Sequence, residues 1–191
     1  MDLTNFTSEG RNDYLMRPFV FPGAISSVQC DRILGTAADY SYQPGRVIAD
    51  VAGYRVCQLA EIHRSVESAW LFERVFELFE AVNGAWYQFS VELVVEPFQL
   101  IRYDTGGLIK WHADTGPAET STRKLSLTIQ LSEETTYDGG GLEFSPGGEM
   151  KASRARGTGV VFPSYLTHQV TEVTRGCRHA LVSWLHGPAF V

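Results

Sequence analysis

The order of apolar and polar positions along the chain changes character near Gly84. Before it the spacing is helical. From Ser65 onward, Val66, Ala69, Trp70, Val75, Phe76, Phe79 and Val82 fall three and four apart on one side of a helix, and Asn83-Gly84 supplies a stop. An earlier helix is predicted from Ser26 to about Asp39. Ser26 with Gln29 three residues later is a capping-box pattern, in which each side chain satisfies the other residue's backbone N–H. Ahead of it, Pro22-Gly23 closes a short extended segment, Phe19 to Phe21. After Gly84 the period falls to two, and segments rich in β-branched and aromatic residues are cut by glycine clusters at 106–107, 139–141 and 147–148. This predicts strands near 89–95, 98–104, 108–113, 124–131, 141–145, 158–162, 168–173 and 178–185. Such a series suits an all-β barrel or double-sheet jelly roll, with the helices buttressing one outer face.

One predicted strand bears directly on function. In Lys124 to Leu131, Leu125, Leu127, Ile129 and Leu131 share one face, while Ser126, Thr128 and Gln130 share the other. Either the polar face meets solvent, or the helices cover the apolar face and the polar residues point into the barrel, where a ligand would sit.

The 191 residues leave room for one domain, read here as a helical buttress over about 1–84 and a jelly-roll core over about 85–191. With 44% hydrophobic residues the chain can bury a core without staples, which excludes disorder and a disulfide miniprotein. A net charge of −6 and the lack of a basic run argue against nucleic acid as a partner. No apolar stretch reaches membrane-spanning length, and the first fifteen residues carry Asp2, Glu9, Arg11, Asn12 and Asp13 in place of an apolar signal core, so a cytoplasmic protein without membrane contact is expected. Cys30, Cys57 and Cys177 are odd in number and widely spaced, and are read as reduced and structural. The aromatic run Trp86, Tyr87 and Phe89 is either barrel packing or an interface.

Among the five histidines, His112 gains meaning from its company. Trp111-His112-Ala113-Asp114 places an imidazole and a carboxylate at i and i+2, which on a strand project to one side and can share an ion. His168, on a later strand, can supply a third ligand. Two imidazoles and one carboxylate leave the opposite coordination positions open, which suits non-haem Fe(II); zinc is the chemical competitor. Ten residues beyond His168 stands Arg178, whose guanidinium offers a bidentate fork to an acidic cosubstrate, while Arg175 nearby reads as surface charge. The run Gly139 to Gly141 is turn geometry and not a phosphate cradle, since no helix N-terminus follows it.

These pieces, with Phe19 to Asp31, Asn83 to Phe89, Gln99 to Gly106, Tyr137 to Phe144 and Gly159 to His168 in the same order, resemble the Fe(II)- and 2-oxoglutarate-dependent dioxygenases, specifically their prolyl 4-hydroxylase-like branch. The resemblance implies a double-stranded β-helix, the cupin-like jelly roll, buttressed by N-terminal helices. It implies that His112, Asp114 and His168 hold Fe(II), that Arg178 pairs with the distal carboxylate of 2-oxoglutarate, and that Tyr103 and Gln130 contact that cosubstrate. It makes Trp184 a wall of the barrel, and it brings in O2 as the second cosubstrate and admits ascorbate as a further cofactor. Relatives that halogenate lack the carboxylate that Asp114 provides, so the implied reaction is hydroxylation of an unactivated C–H with release of succinate and CO2. One departure stands out: a tyrosine common three residues before the first metal histidine is Ile109 here.

The expected substrate is an amino-acid-like small molecule, or a prolyl or other residue in a peptide or protein. The loop 113–123 is either a lid over the site or a plain surface loop. Two other readings stay open on the residues alone: a non-catalytic jelly-roll protein that captures or senses a ligand, and a zinc hydrolase using the same three ligands.

Overall fold

A computed structural model describes residues 12, 14–35, 41–45, 53–92, 96–145 and 150–190. The first helix, α1 (Ser27–Gly35), opens as its sequence predicts: Ser26 N–H donates to Gln29 Oε1 at 2.8 Å and Gln29 N–H to Ser26 Oγ at 3.2 Å. The end expected near Asp39 lies outside the described residues. The second helix, α2 (Ala69–Val82), starts four residues later than expected, because Ser65 and Ser68 first close a turn on each other's backbone and leave Val66 90% exposed. Asn83-Gly84 does not stop it. The winding widens into a π-helical turn over Asn83–Tyr87, ended by Gln88 at φ 54°.

The strands are β1 (Phe19–Phe21), β2 (Gln43–Pro44), β3 (Arg55–Val56), β4 (Gln58–Ile62), β5 (Phe98–Tyr103), β6 (Leu108–His112), β7 (Arg123–Gln130), β8 (Tyr137–Gly139), β9 (Leu142–Ser145), β10 (Met150–Lys151), β11 (Gly159–Pro163), β12 (Thr167–Val170), β13 (Val173–Gly176) and β14 (Arg178–His186). They form a seven-stranded sheet in the order β1-β11-β7-β14-β5-β4-β2, a five-stranded sheet in the order β10-β9-β12-β6-β3, and the pair β13-β8. The two large sheets face each other as a jelly roll.

Three expectations are corrected. The segment 89–95 is not a strand where it is described: the Asn83 side chain takes both backbone groups of Phe89, donating to its carbonyl at 3.0 Å and accepting its N–H at 2.9 Å, so neither is left for a ladder. The strand expected over 168–173 is two, because after Val170 the chain leaves the smaller sheet and Val173–Gly176 pairs with β8. The first 84 residues are more than a helical buttress, since they contribute β1, β2 and β4 to the larger sheet and β3 to the smaller one. β1 is the extended segment that the sequence predicts at Phe19 to Phe21, while β2, β3 and β4 are two to five residues long and defined by the partners they pair with, which is why periodicity does not reveal them.

The two faces of β7 decide where the core ends and the site begins. Leu125, Leu127 and Ile129, with Leu131 just beyond, are fully buried against Ile33 of α1 and Leu71, Val75, Leu78 and Phe79 of α2. Each such side chain contributes about 1.5–3 kcal/mol by leaving water. The helices thus cover the outside of the larger sheet, and Ser126, Thr128 and Gln130 point inward. A second apolar cluster, including Ile101, Tyr103, Ile109, Phe144 and Phe162, fills the space between the sheets beside the site. Gly139, at φ 73°, is the one residue type its turn accepts, since a Cβ there would fall on the Glu172 carbonyl. The cysteines are free, as expected, and Tyr87 is buried with its hydroxyl donated to the Arg17 carbonyl, so the aromatic run at 86–89 contains internal packing.

Candidate metal centre

Antiparallel pairing of β12 with β6 sets His168 directly opposite His112, with ring centroids 4.2 Å apart. Each Nδ1 lies 2.8 Å from a carbonyl two residues back, Lys110 for His112 and Leu166 for His168. A carbonyl can only accept, so Nδ1 carries the proton and each Nε2 turns a lone pair inward. Asp114, just past the end of β6, completes the group. Its Oδ1 lies 3.7 Å from His112 Nε2 and its Oδ2 3.7 Å from His168 Nε2, and the three ligand atoms all fall within 4.8 Å of one another.

The surroundings hold these groups in ligand-competent states. Burial alone would push the Asp114 carboxyl up, but His168, His112 and the Ser126 hydroxyl, which donates to Oδ2 at 2.6 Å, outweigh it and hold the group below the usual carboxylate range. Ser126 in turn lies 3.0 Å from Ser164 Oγ, and the Ser164 carbonyl accepts the Asp114 N–H at 2.8 Å. His112 is pushed down, first by burial and then by His168, with Asp114 opposing, so it stays neutral at neutral pH.

The triad opens onto a cavity of about 530 Å³ between the two sheets. Arg178, at the start of β14, lines it and is 3% exposed. Its Nε donates to Gln130 Oε1 at 3.0 Å, its guanidinium lies 5.3 Å from the Tyr103 ring centroid, and its buried Nη1 has no hydrogen-bond partner among the described residues. A buried guanidinium N–H without an acceptor, beside an enclosed space, fits an anion supplied by a ligand. Tyr103 pairs with Arg178 across β5 and β14, and burial, with Cys57 adding, pushes its phenol up to about 12, so it stays protonated. Gln130 does not line the large cavity. It lies behind Arg178 and orients it, and Thr128 is the polar residue of that face of β7 that reaches the cavity.

Trp184 lines the cavity on the metal side, with the Arg123 guanidinium stacked 3.7 Å from its ring centroid. Arg123 is held by a two-pronged pair with Glu96, at 2.8 and 2.6 Å, and anchors the loop 113–123, whose residues 113–116 form part of the cavity wall. Ile109 lines the wall where the resemblance led to a tyrosine. Arg175 lies away from the cavity, paired with Asp138 on the surface. Arg55, Gln99 and Arg123 also line the cavity and escape the sequence reading. Gln99 shares the alternation of Ile101 and Tyr103 and was findable on that ground; Arg55 sits in a two-residue strand without a pattern.

Fold and site together define a jelly-roll protein with a candidate mononuclear metal centre. Residues 98–186, which carry the triad and Arg178, match the family model of the 2OG-Fe(II) oxygenase superfamily. The chain is 36% identical over 99 residues to a PKHD-type hydroxylase of Synechococcus sp. strain CC9605, a stretch covering 51% of this chain and 45% of that protein. It thus spans about half the length of the curated relatives it matches. Its fold is that of a Pseudomonas putida prolyl-4-hydroxylase, at a TM-score of 0.71 and 20% identity over 90% of this chain and 93% of the other. It is also that of a Trichoplax adhaerens prolyl hydroxylase in complex with a hypoxia inducible factor peptide fragment, at a TM-score of 0.72 and 16% identity over 88% and 83%. The chain thus has the prolyl-4-hydroxylase-like fold, and its likeness to the 2OG-Fe(II) oxygenase superfamily lies in residues 98–186.

Proposed function

We propose that this protein is an Fe(II)- and 2-oxoglutarate-dependent hydroxylase acting on an unactivated C–H of an amino-acid-like molecule or of a residue in a peptide, and that its 191 residues act as one domain. The observation that carries this reading is the buried Arg178 with an unsatisfied Nη1, in the same cavity as three converging ligand atoms. His112, Asp114 and His168 would hold the iron. Bound Fe(II), with 2-oxoglutarate and O2, would supply the oxidising power that places a hydroxyl on the substrate carbon while 2-oxoglutarate becomes succinate and CO2.

The chain's own residues do the rest. Ser126 keeps Asp114 ionised and oriented. Arg178 offers its free N–H to the distal carboxylate of 2-oxoglutarate, Gln130 holds that guanidinium from behind, and Tyr103 and Thr128 wall the cosubstrate's space. Trp184 and the apolar cluster keep water from the reacting carbon. The zinc-hydrolase reading has no use for a buried arginine at this place, and a simple binding protein has none for an ionised, hydrogen-bonded triad.

An anaerobic titration of the apoprotein with Fe(II) and then 2-oxoglutarate tests the reading. The visible charge-transfer band of the chelate should appear, and should be lost in His112→Ala and His168→Ala. Tight metal binding without that band would overturn the assignment.

A further inference from the structure

Simple alternation along β7 puts Arg123 on the face of Leu125 and Leu127, against the helices, yet Arg123 lines the cavity. The reason is a bulge. Leu185 of β14 stands opposite Leu125 and the next residue, His186, opposite Arg123, so Lys124 is an extra residue without a partner and the chain changes face across it. His186, two residues beyond the cavity-lining Trp184, and Arg123 opposite it therefore share the inner face, and the Arg123 guanidinium lies 3.7 Å from the Trp184 ring centroid. This brings a cation next to a metal ligand. Arg123 Nη1 is 3.4 Å from the Asp114 carbonyl, and Asp114 is the single acid among the described residues that line the cavity.

A guanidinium in a low-dielectric wall pairs with the carboxylate it can reach, and a two-pronged pair with Asp114 would occupy the oxygens that a metal needs. Glu96 stands in the way of that pair. Its Oε1 accepts from Arg123 Nε at 2.8 Å and its Oε2 from Nη2 at 2.6 Å, which fills that edge of the fork and fixes the guanidinium on Trp184, with Nη1 beside the backbone of Asp114 and not its carboxylate. His186 Nε2 lies 2.8 Å from the same Oε1 and its Nδ1 2.9 Å from Thr122 Oγ1, so the carboxylate is steadied from a second side. Burial pushes both carboxyls up, but His186 and Arg123 hold Glu96 down, whereas His168, His112 and Ser126 hold Asp114 down. The charge of Arg123 is thus spent on Glu96. We infer that Glu96 is a positioning residue of the metal centre: by engaging the Arg123 guanidinium it keeps the Asp114 carboxylate open to the metal. The inference rests on the oxygenase reading, in which Asp114 is an iron ligand, and its failure is separable from the failure of that reading.

The test reads Fe(II) affinity of the full chain, anaerobically, by competition with a metal chelator, with urea unfolding to show that each variant is folded. Glu96→Gln should weaken Fe(II) binding at least about tenfold as the released guanidinium turns to Asp114, while the 2-oxoglutarate affinity of the iron-saturated protein, set by Arg178, stays within about twofold. Adding Arg123→Met to Glu96→Gln removes the cation and keeps an apolar stem on Trp184. That double variant should recover to within about threefold of the parent, a rescue that loss of a merely structural pair would not give. Should Glu96→Gln not fold, Arg123→Met alone decides: with the competing cation gone and Asp114 still held by Ser126 and Ser164, Fe(II) affinity should stay within about threefold of the parent. Undiminished Fe(II) binding in Glu96→Gln, a double variant as weak as Glu96→Gln, or a loss of about tenfold in Arg123→Met overturns the inference, while a normal chelate band in the unmodified protein leaves the oxygenase reading intact. Absence of Fe(II) binding and of the band in the unmodified protein overturns both.

Discussion

Two arginines in one cavity have opposite settings. Arg178 is 3% exposed, gripped through Nε by Gln130, and left with a buried N–H that no atom of the described residues accepts. Arg123 is stacked on Trp184 and satisfied by both oxygens of Glu96. The first arrangement is poor for the stability of the protein alone, because a buried unpartnered donor loses its water without recompense. The second contributes to stability and keeps the loop that follows Asp114 in place. An arginine kept in a costly setting marks where a ligand completes the structure, and an arginine already paired marks scaffold.

The comparison is broken most sharply at the ligand-requiring end. Arg178→Ala should weaken 2-oxoglutarate binding by about 10- to 100-fold with Fe(II) affinity retained, measured by anaerobic titration of the chelate band. An unchanged cosubstrate affinity would remove Arg178 from the site.

At the scaffold end the effect falls on stability. Burial would raise the Glu96 carboxyl, but hydrogen bonds from His186 and Arg123 outweigh it and lower it from 4.5 to about 2. A carboxyl depressed by folding contributes stability that is present above the unfolded value and lost as pH falls through the folded one. Glu96→Gln should therefore cost on the order of 1–3 kcal/mol at pH 7, discounted for its partial exposure, and the gap to the parent should close between pH 4.5 and about 2. Urea unfolding across that range checks it, with a pH-independent gap as the contrary result.

Smaller effects sharpen the contrast. Ser126→Ala removes the donor to Asp114 Oδ2 and should lower Fe(II) affinity about tenfold, read by competition with a metal chelator. Gln130→Ala frees the Arg178 guanidinium without deleting it and should raise the 2-oxoglutarate dissociation constant by about three- to tenfold. If Gln130→Ala matched Arg178→Ala, Gln130 would be a direct contact and not a support.

Much of the site was legible because its key residues sit on regular strands. The inward face of His112 on β6 and the alternation of β7 both follow from a period of two, so the sequence pattern carries their facing directions, and Asp114, just past the end of β6, keeps to the side of His112. The capping box at Ser26 and Gln29 was legible for a similar reason, since both partners lie within one helical turn. The failures share the opposite property. The lack of a strand over 89–92 turns on how Asn83 folds back on Phe89, and the break after Val170 turns on a competing pairing with β8.

By itself, then, the sequence determined the two helices, most of the strands and the two-faced pattern of β7, and it singled out His112, Asp114, His168 and Arg178 as candidate site residues. Only the tertiary structure decided that His112 and His168 meet in register, that Gln130 stands behind Arg178 while Thr128 reaches the cavity, and that Arg55 enters the wall beside Ile109. Local periodicity sets which way a side chain points along its own strand. Which side chains then share a cavity depends on pairing between strands far apart in sequence, and that is chosen by the burial of the whole sheet.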